Sequence, residues 1–110
     1  MNDKPLINKS RAFALNIMEF CKEVKNTSLK DQLFRSGTSI GANIHEANYA
    51  ISRADFISKM QIALKECYET EYWLNLLIES KTTINKQILE DCLELKRMLI
   101  ASCRTAKENK

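Results

Sequence analysis

Glycine and proline are nearly missing from this chain of 110 residues: there are two glycines, Gly37 and Gly41, and one proline, Pro5. So little turn-forming material excludes a many-stranded sandwich or barrel and favours a few long helices. There is one histidine, His45. Nucleophilic catalysis through a histidine base therefore has a single candidate, and no E-x-x-H or H-x-x-x-H pair exists to begin a metal site. Four cysteines, Cys21, Cys67, Cys92 and Cys103, contain no C-x-x-C pair and are too far apart for a zinc motif. Each lies among apolar residues, as expected of reduced cysteines serving as small core hydrophobes in a cytosolic protein. No apolar run approaches the roughly 18 residues of a membrane span, and residues 1–10 do not form a signal peptide. The expectation is a soluble, cytoplasmic protein without metal or cofactor.

The length suits one domain, residues 1–110, able to bury roughly 65% of its unfolded surface without staples. Hydrophobic residues are 45% of the chain and charged residues 28%, with a net charge of +3. That charge permits an acidic partner without demanding one.

Apolar positions recur with helical period in four segments. Phe13, Ile17, Phe20, Cys21 and Val24 make the stripe of helix one, over about residues 10–24; Pro5 belongs before the helix or in its first turn, leaving its start open. Ser28 and Asp31 resemble a capping box that opens helix two, whose apolar face runs through Leu29, Leu33, Ile40, Ile44, Ala47 and Ile51. Ser52 and Asp55 repeat that spacing at the start of helix three, with Phe56, Met60, Ala63, Leu64, Cys67, Leu74 and Ile78 inward. After a turn at residues 81–85, helix four carries Ile84, Ile88, Cys92, Leu95, Leu99 and Ala106. Four amphipathic helices with short connections predict an all-α, up-down-up-down antiparallel four-helix bundle.

Both glycines fall inside helix two, where each costs roughly 1 kcal/mol relative to alanine. With Asn48 they form a notch beside the apolar face. The notch predicts a close helix contact, from the same chain or another. No G-x-G-x-x-G or Walker pattern surrounds them, so a phosphate cradle is not supported. Asn43, at the edge of that face, needs a hydrogen-bond partner if buried. Glu71 lies within the stripe of helix three and is expected to pair with a facing hydroxyl, amide or guanidinium, Arg35 and Asn43 being suitable by type. An enzyme would require Glu71, Arg35 and His45 to converge; no catalytic residue is assigned.

A second apolar face comprises Leu89, Leu93 and Ile100 on helix four, with Ile62, Trp73 and the nearby Leu76 and Leu77 on helix three. Contiguous exposed apolar surface usually marks association. The simpler alternative is that helix tilt covers it. Basic residues concentrate on helices one and four: Arg11, Lys22 and Lys25 on the first, Lys86, Arg97, Arg104 and Lys107 on the last. These helices neighbour each other in the predicted bundle, so their outer faces would merge into a patch attractive to phosphates, or simply be solvated surface.

The stretch Arg35-Ser36-Gly37-Thr38-Ser39-Ile40-Gly41-Ala42-Asn43-Ile44-His45-Glu46-Ala47, followed by Asp55-Phe56, Ile62-Ala63-Leu64-Lys65-Glu66 and Glu69-Thr70-Glu71-Tyr72-Trp73-Leu74, resembles the bacterial four-helix-bundle proteins of intervening sequences in large-subunit ribosomal RNA genes. The resemblance covers nearly the whole chain. It implies a ring-forming bundle, a homopentamer, without enzymatic activity. The accessory variability proteins of diversity-generating retroelements are similar and imply nucleic-acid binding and a reverse transcriptase partner. Two functions follow as expectations: a homo-oligomeric scaffold binding RNA or DNA through a basic face, or an adaptor receiving another protein on the apolar face of helices three and four.

Overall fold

The computed structural model describes residues 4–83 and 85–108. It contains four helices, α1 (Lys4–Cys21), α2 (Thr27–Ala47), α3 (Arg53–Glu79) and α4 (Gln87–Glu108). Helices adjacent in sequence are adjacent in space and α1 closes the square against α4, while α1/α3 and α2/α4 lie diagonally, with their backbones farther apart. The result is the expected antiparallel bundle, 46 × 19 × 19 Å. Ile84, assigned from its spacing to the stripe of helix four, lies outside the described residues, as do Asn109 and Lys110 of the basic tail.

The core holds the predicted stripes, with Ile17, Leu33, Ile40, Ala63, Cys67, Leu74, Cys92, Leu95 and Leu99 fully shielded from solvent. Several edges differ. Helix α1 begins at Lys4, so Pro5 sits in its first turn, where its missing N–H costs nothing, and Leu6 is buried in the core. The N-cap of α2 is Asn26 rather than Ser28: its Oδ1 accepts the Leu29 N–H at 3.0 Å. Ser28 therefore lies within the first turn. Helix α2 also stops at Ala47, and Ile51, read as part of its apolar face, is 94% exposed in the connection. At α3 the expected serine cap is present, Ser52 Oγ accepting the Asp55 N–H at 3.0 Å. Asp55 in turn accepts the N–H of Ile51 at 3.2 Å, which holds the connection. On α4, Asn85 Oδ1 accepts the Gln87 N–H at 3.1 Å.

Glycine scarcity leaves a mark at the end of α3. Lys81 adopts φ 60°; its N–H donates to Ile78 O at 3.0 Å and the Thr82 N–H donates to Leu77 O at 2.9 Å. This is a Schellman closure with lysine in the left-handed position that glycine normally fills. Lys81→Gly is expected to raise stability by about 1 kcal/mol, read as a shift in the urea midpoint. An unchanged or lowered midpoint would show that the left-handed lysine carries no strain.

The two glycines were spent elsewhere. A Cβ at Gly37 would lie 2.9 Å from both Cγ1 and Cγ2 of Ile17, and one at Gly41 would lie 3.3 Å from the Ser10 carbonyl oxygen. Both contacts are with α1. The notch is thus the seat of a helix of the same chain, and Asn48, expected to share it, is instead the exposed C-cap of α2.

Candidate functional site

Three of the stretches that carry the family resemblance meet on the α2/α3 seam. Arg35 of α2 donates to Glu66 Oε2 at 3.0 Å and also bonds Glu69, which accepts the Trp73 Nε1–H at 3.0 Å. One residue on in each helix, the buried Thr70 hydroxyl donates to Ser36 Oγ at 2.9 Å. Hydrogen bonding to Arg35 lowers the pKa of Glu69, and hydrogen bonding to Glu69 raises that of Arg35. A guanidinium can bridge two carboxylates spaced three apart because such residues share a helix face, so Arg35 ties α2 to one edge of α3. The other edge of α3 is tied to α4 by Glu71 and Lys96, 2.7 Å apart and both largely shielded. Lys96 also lies 5.4 Å from the centre of the Tyr68 ring, and its bond to Glu71 raises its pKa.

Glu71 therefore has a partner, as its place in the stripe requires, but the partner is neither Arg35 nor Asn43. Asn43 donates to Ser39 O of its own helix at 2.9 Å. Glu71→Gln keeps the shape and removes the charge, so the expected loss is about 1 kcal/mol in denaturant unfolding. An unchanged midpoint would mean that the pair contributes nothing.

Arg35, Glu71 and His45 do not converge. The first two belong to the separate pairs just described, and His45 is exposed, its ring centre 5.3 Å from that of Tyr49. All four cysteines are buried and unpaired. Burial pushes the thiols of Cys21 and Cys103 up, and that of Cys92 is raised by its contact with Cys67, Sγ to Sγ 3.8 Å, and by burial. Groups held as thiols are poor nucleophiles and poor metal ligands. Among the described residues, no group of three or more histidine, cysteine or acidic side chains is placed to hold a metal ion, and no helix is long and apolar enough to cross a membrane.

The predicted association residues scatter. Ile62 is 40% exposed, but Leu77, placed by its spacing on the outer face, is wholly buried. Over the 27 residues of α3 the buried stripe drifts around the helix, and near its end Leu77 takes the inward place expected of Ile78, which is half-buried. Trp73 and Leu89 are half-buried against the core, and Leu93 and Ile100 are half-buried as well, so the outer face of α4 is not a free apolar stripe. Besides Ile62, and Tyr49 and Ile51 at the α2/α3 connection, the large apolar side chains that face solvent are Tyr68 and Tyr72 on α3, 50% and 57% exposed, and Leu15, Met18 and Phe34 on α1 and α2. Spacing alone missed these five, because single residues outside a stripe give no periodic signal.

All seven predicted phosphate-binding residues, Arg11, Lys22, Lys25, Lys86, Arg97, Arg104 and Lys107, are exposed. They do not merge across the α1/α4 seam. A groove there is lined by Glu19, Glu23 and Asp91, and Lys9 pairs with Glu94 across it at 2.8 Å. Lys22 is engaged by Glu19 at 3.0 Å, while Arg11 lies on the α2 side of α1 beside Thr38 and His45. A basic pair remains on α4, where Arg97 and Arg104, seven apart, share one helix face, with Lys86 just before the helix begins.

The molecule is thus a four-helix bundle whose α3 is tied on one side to α2 by the Arg35 cluster and on the other to α4 by Glu71 and Lys96. The family model for the 23S rRNA-intervening sequence protein matches residues 2–101, and the chain belongs to that family. A crystal structure from Bacteroides thetaiotaomicron, of a protein with unknown function from the S23 ribosomal protein family, is 45% identical and superposes with a TM-score of 0.87, covering 94% of this chain and 99% of its own. A search of curated proteins finds no match.

Proposed function

We propose that this protein is a non-enzymatic, homo-oligomeric helical scaffold, with the ring-like pentamer implied by its family resemblance as the assembly. The observation that carries the reading is the aromatic outer surface of α3, where Ile62, Tyr68 and Tyr72 face solvent beside the half-buried Trp73. Tyrosine and tryptophan bury large area at low entropic cost and recur as interface anchors. Light scattering on the purified protein tests the reading: a mass several times the 12.7 kDa of one chain supports it, and a single-chain mass rejects it.

RNA or DNA binding is the more specific role we attach to this scaffold, and Arg97 and Arg104 on one face of α4, with Lys86 just before that helix, favour it. None of the three has an ion-pair partner among the described residues. Stacking subunits around a ring would repeat these charges and multiply their phosphate contacts. Reversing Arg97 and Arg104 together to glutamate is expected to weaken binding to single-stranded RNA at low salt by at least tenfold and to flatten its salt dependence. Equal binding by both proteins, or no binding at low salt, would reject the role. The adaptor reading, with a reverse transcriptase as the partner, would place another chain on the α3 surface instead, and nuclease-resistant capture of such an enzyme is its test.

A further inference from the structure

Apart from Tyr49 and Ile51 in the α2/α3 connection, the exposed large apolar side chains fall on two sides of the bundle. One corner presents Leu15, Met18 and Phe34, 59%, 45% and 42% exposed, over the α1/α2 seam. There Met18, Phe34 and the edge of Cys21 line a shallow groove of about 390 Å³ rimmed by Lys22, Lys30 and Asp31. The other presents Ile62, Tyr68 and Tyr72 on α3. Helices α1 and α3 are diagonal in the square, so their outer sides point away from one another.

Resting on the homo-oligomer reading above, we infer that the α1/α2 corner of one subunit docks on the α3 face of the next, head to tail. The occupant of each surface is a second copy of this chain. A two-fold contact uses the same patch on both partners and would leave the second corner of every subunit in water; a head-to-tail contact covers both corners of each subunit and repeats. Charge agrees with this pairing. Residues 4–47 carry seven basic and four acidic side chains, whereas residues 53–79 carry three and five. Beside the α3 face the carboxylates of Glu66 and Glu69 share the single guanidinium of Arg35, which leaves one negative charge uncompensated. Arg11 and Lys30, flanking the opposite corner, have no ion-pair partner among the described residues. The side-chain chemistry also fits, since a methionine and a leucine set against tyrosine rings make favourable sulfur and aliphatic contacts.

Complementation separates head-to-tail from two-fold contact. One variant, Leu15→Glu/Met18→Glu, loses the first corner; another, Ile62→Glu/Tyr72→Glu, loses the second. Each alone is expected to sediment as a single chain with wild-type circular dichroism. Mixed, the intact α3 face of the first and the intact corner of the second should join in a 1:1 pair of twice the single-chain mass. Persistent self-association of either variant would overturn the pairing. Because one contact is weaker than a closed ring, a second measurement uses assembled protein: Leu15→Cys mixed with Tyr72→Cys and treated with a short bis-maleimide. The mixture should yield 15-to-72 linked dimers, whereas 15-to-15 links in the Leu15→Cys protein alone, or no 15-to-72 link, would overturn it. Assembly of the wild type with failed complementation and failed linking removes only the head-to-tail pairing; a single-chain wild type removes the homo-oligomer reading itself.

Discussion

Gly37→Leu should lose about 3 kcal/mol or more of stability, enough to lower the thermal midpoint by roughly 15 °C or to leave the chain unfolded at ambient temperature. Even a methyl group at this position would lie 2.9 Å from two carbons of Ile17, a side chain with no exposure at the centre of the α1/α2 contact. Those carbons are attached to the branched Cβ, so Ile17 cannot withdraw by swinging a flexible end. Alanine would gain roughly 1 kcal/mol of helix propensity at this position and lose it again in displaced packing. The cause can be isolated with a double-mutant cycle. Ile17→Ala removes both contacting carbons, so Gly37→Ala should be markedly more favourable in that background than in the wild type. Gly41→Leu should likewise destabilise the fold and not merely an assembly, because its nearest obstacle is the Ser10 carbonyl, a backbone group that cannot rotate aside. A wild-type melting temperature for Gly37→Leu would mean that α1 does not approach α2 as described.

The second large effect is on mass. Ile62→Glu/Tyr72→Glu is expected to convert a several-chain assembly into single chains of 12.7 kDa, a several-fold fall, while helical content and melting cooperativity survive. Both side chains project from the outer side of α3, 40% and 57% exposed, so glutamate there meets water in the free subunit and an unpaired, desolvated charge in an apolar interface. The choice of residues matters. Trp73 is a more obvious anchor by type, but it is half-buried against the core and donates to Glu69. A charge at 73 would therefore disturb the subunit as well as the assembly. Light scattering read beside circular dichroism distinguishes loss of assembly from loss of fold, and an unchanged mass in the double variant would remove the α3 surface from the interface.

The architecture was legible because each helix carries a core stripe with helical period and because so few glycines and prolines interrupt it. What failed did so where one helical wheel gives direction but not position. Ile51 continued the period of α2 past the point where the helix ends. Leu77 and Ile78 are adjacent, and only the cumulative drift of a long helix decides which of them turns inward. Helices one and four were rightly expected to be neighbours, yet which flank of each forms the seam depends on rotation about the axis, and that rotation brings Glu19, Glu23 and Asp91 together rather than the basic residues. The glycine notch was readable as a close contact because glycine inside a helix is costly; that its partner is Ser10 and Ile17 of the same chain required three dimensions. Arg35, Glu66, Glu69 and Trp73 lay within three of the stretches that mark the family. Their joint role was hidden because the bond runs between residues more than thirty apart in sequence, on faces that no core stripe identifies.

A bundle that works as one subunit among several must show it in the mass of the unmodified protein, read by sedimentation equilibrium. The predicted result is a discrete species of several chains that persists on dilution through the micromolar range. A species of 12.7 kDa at every concentration would contradict it.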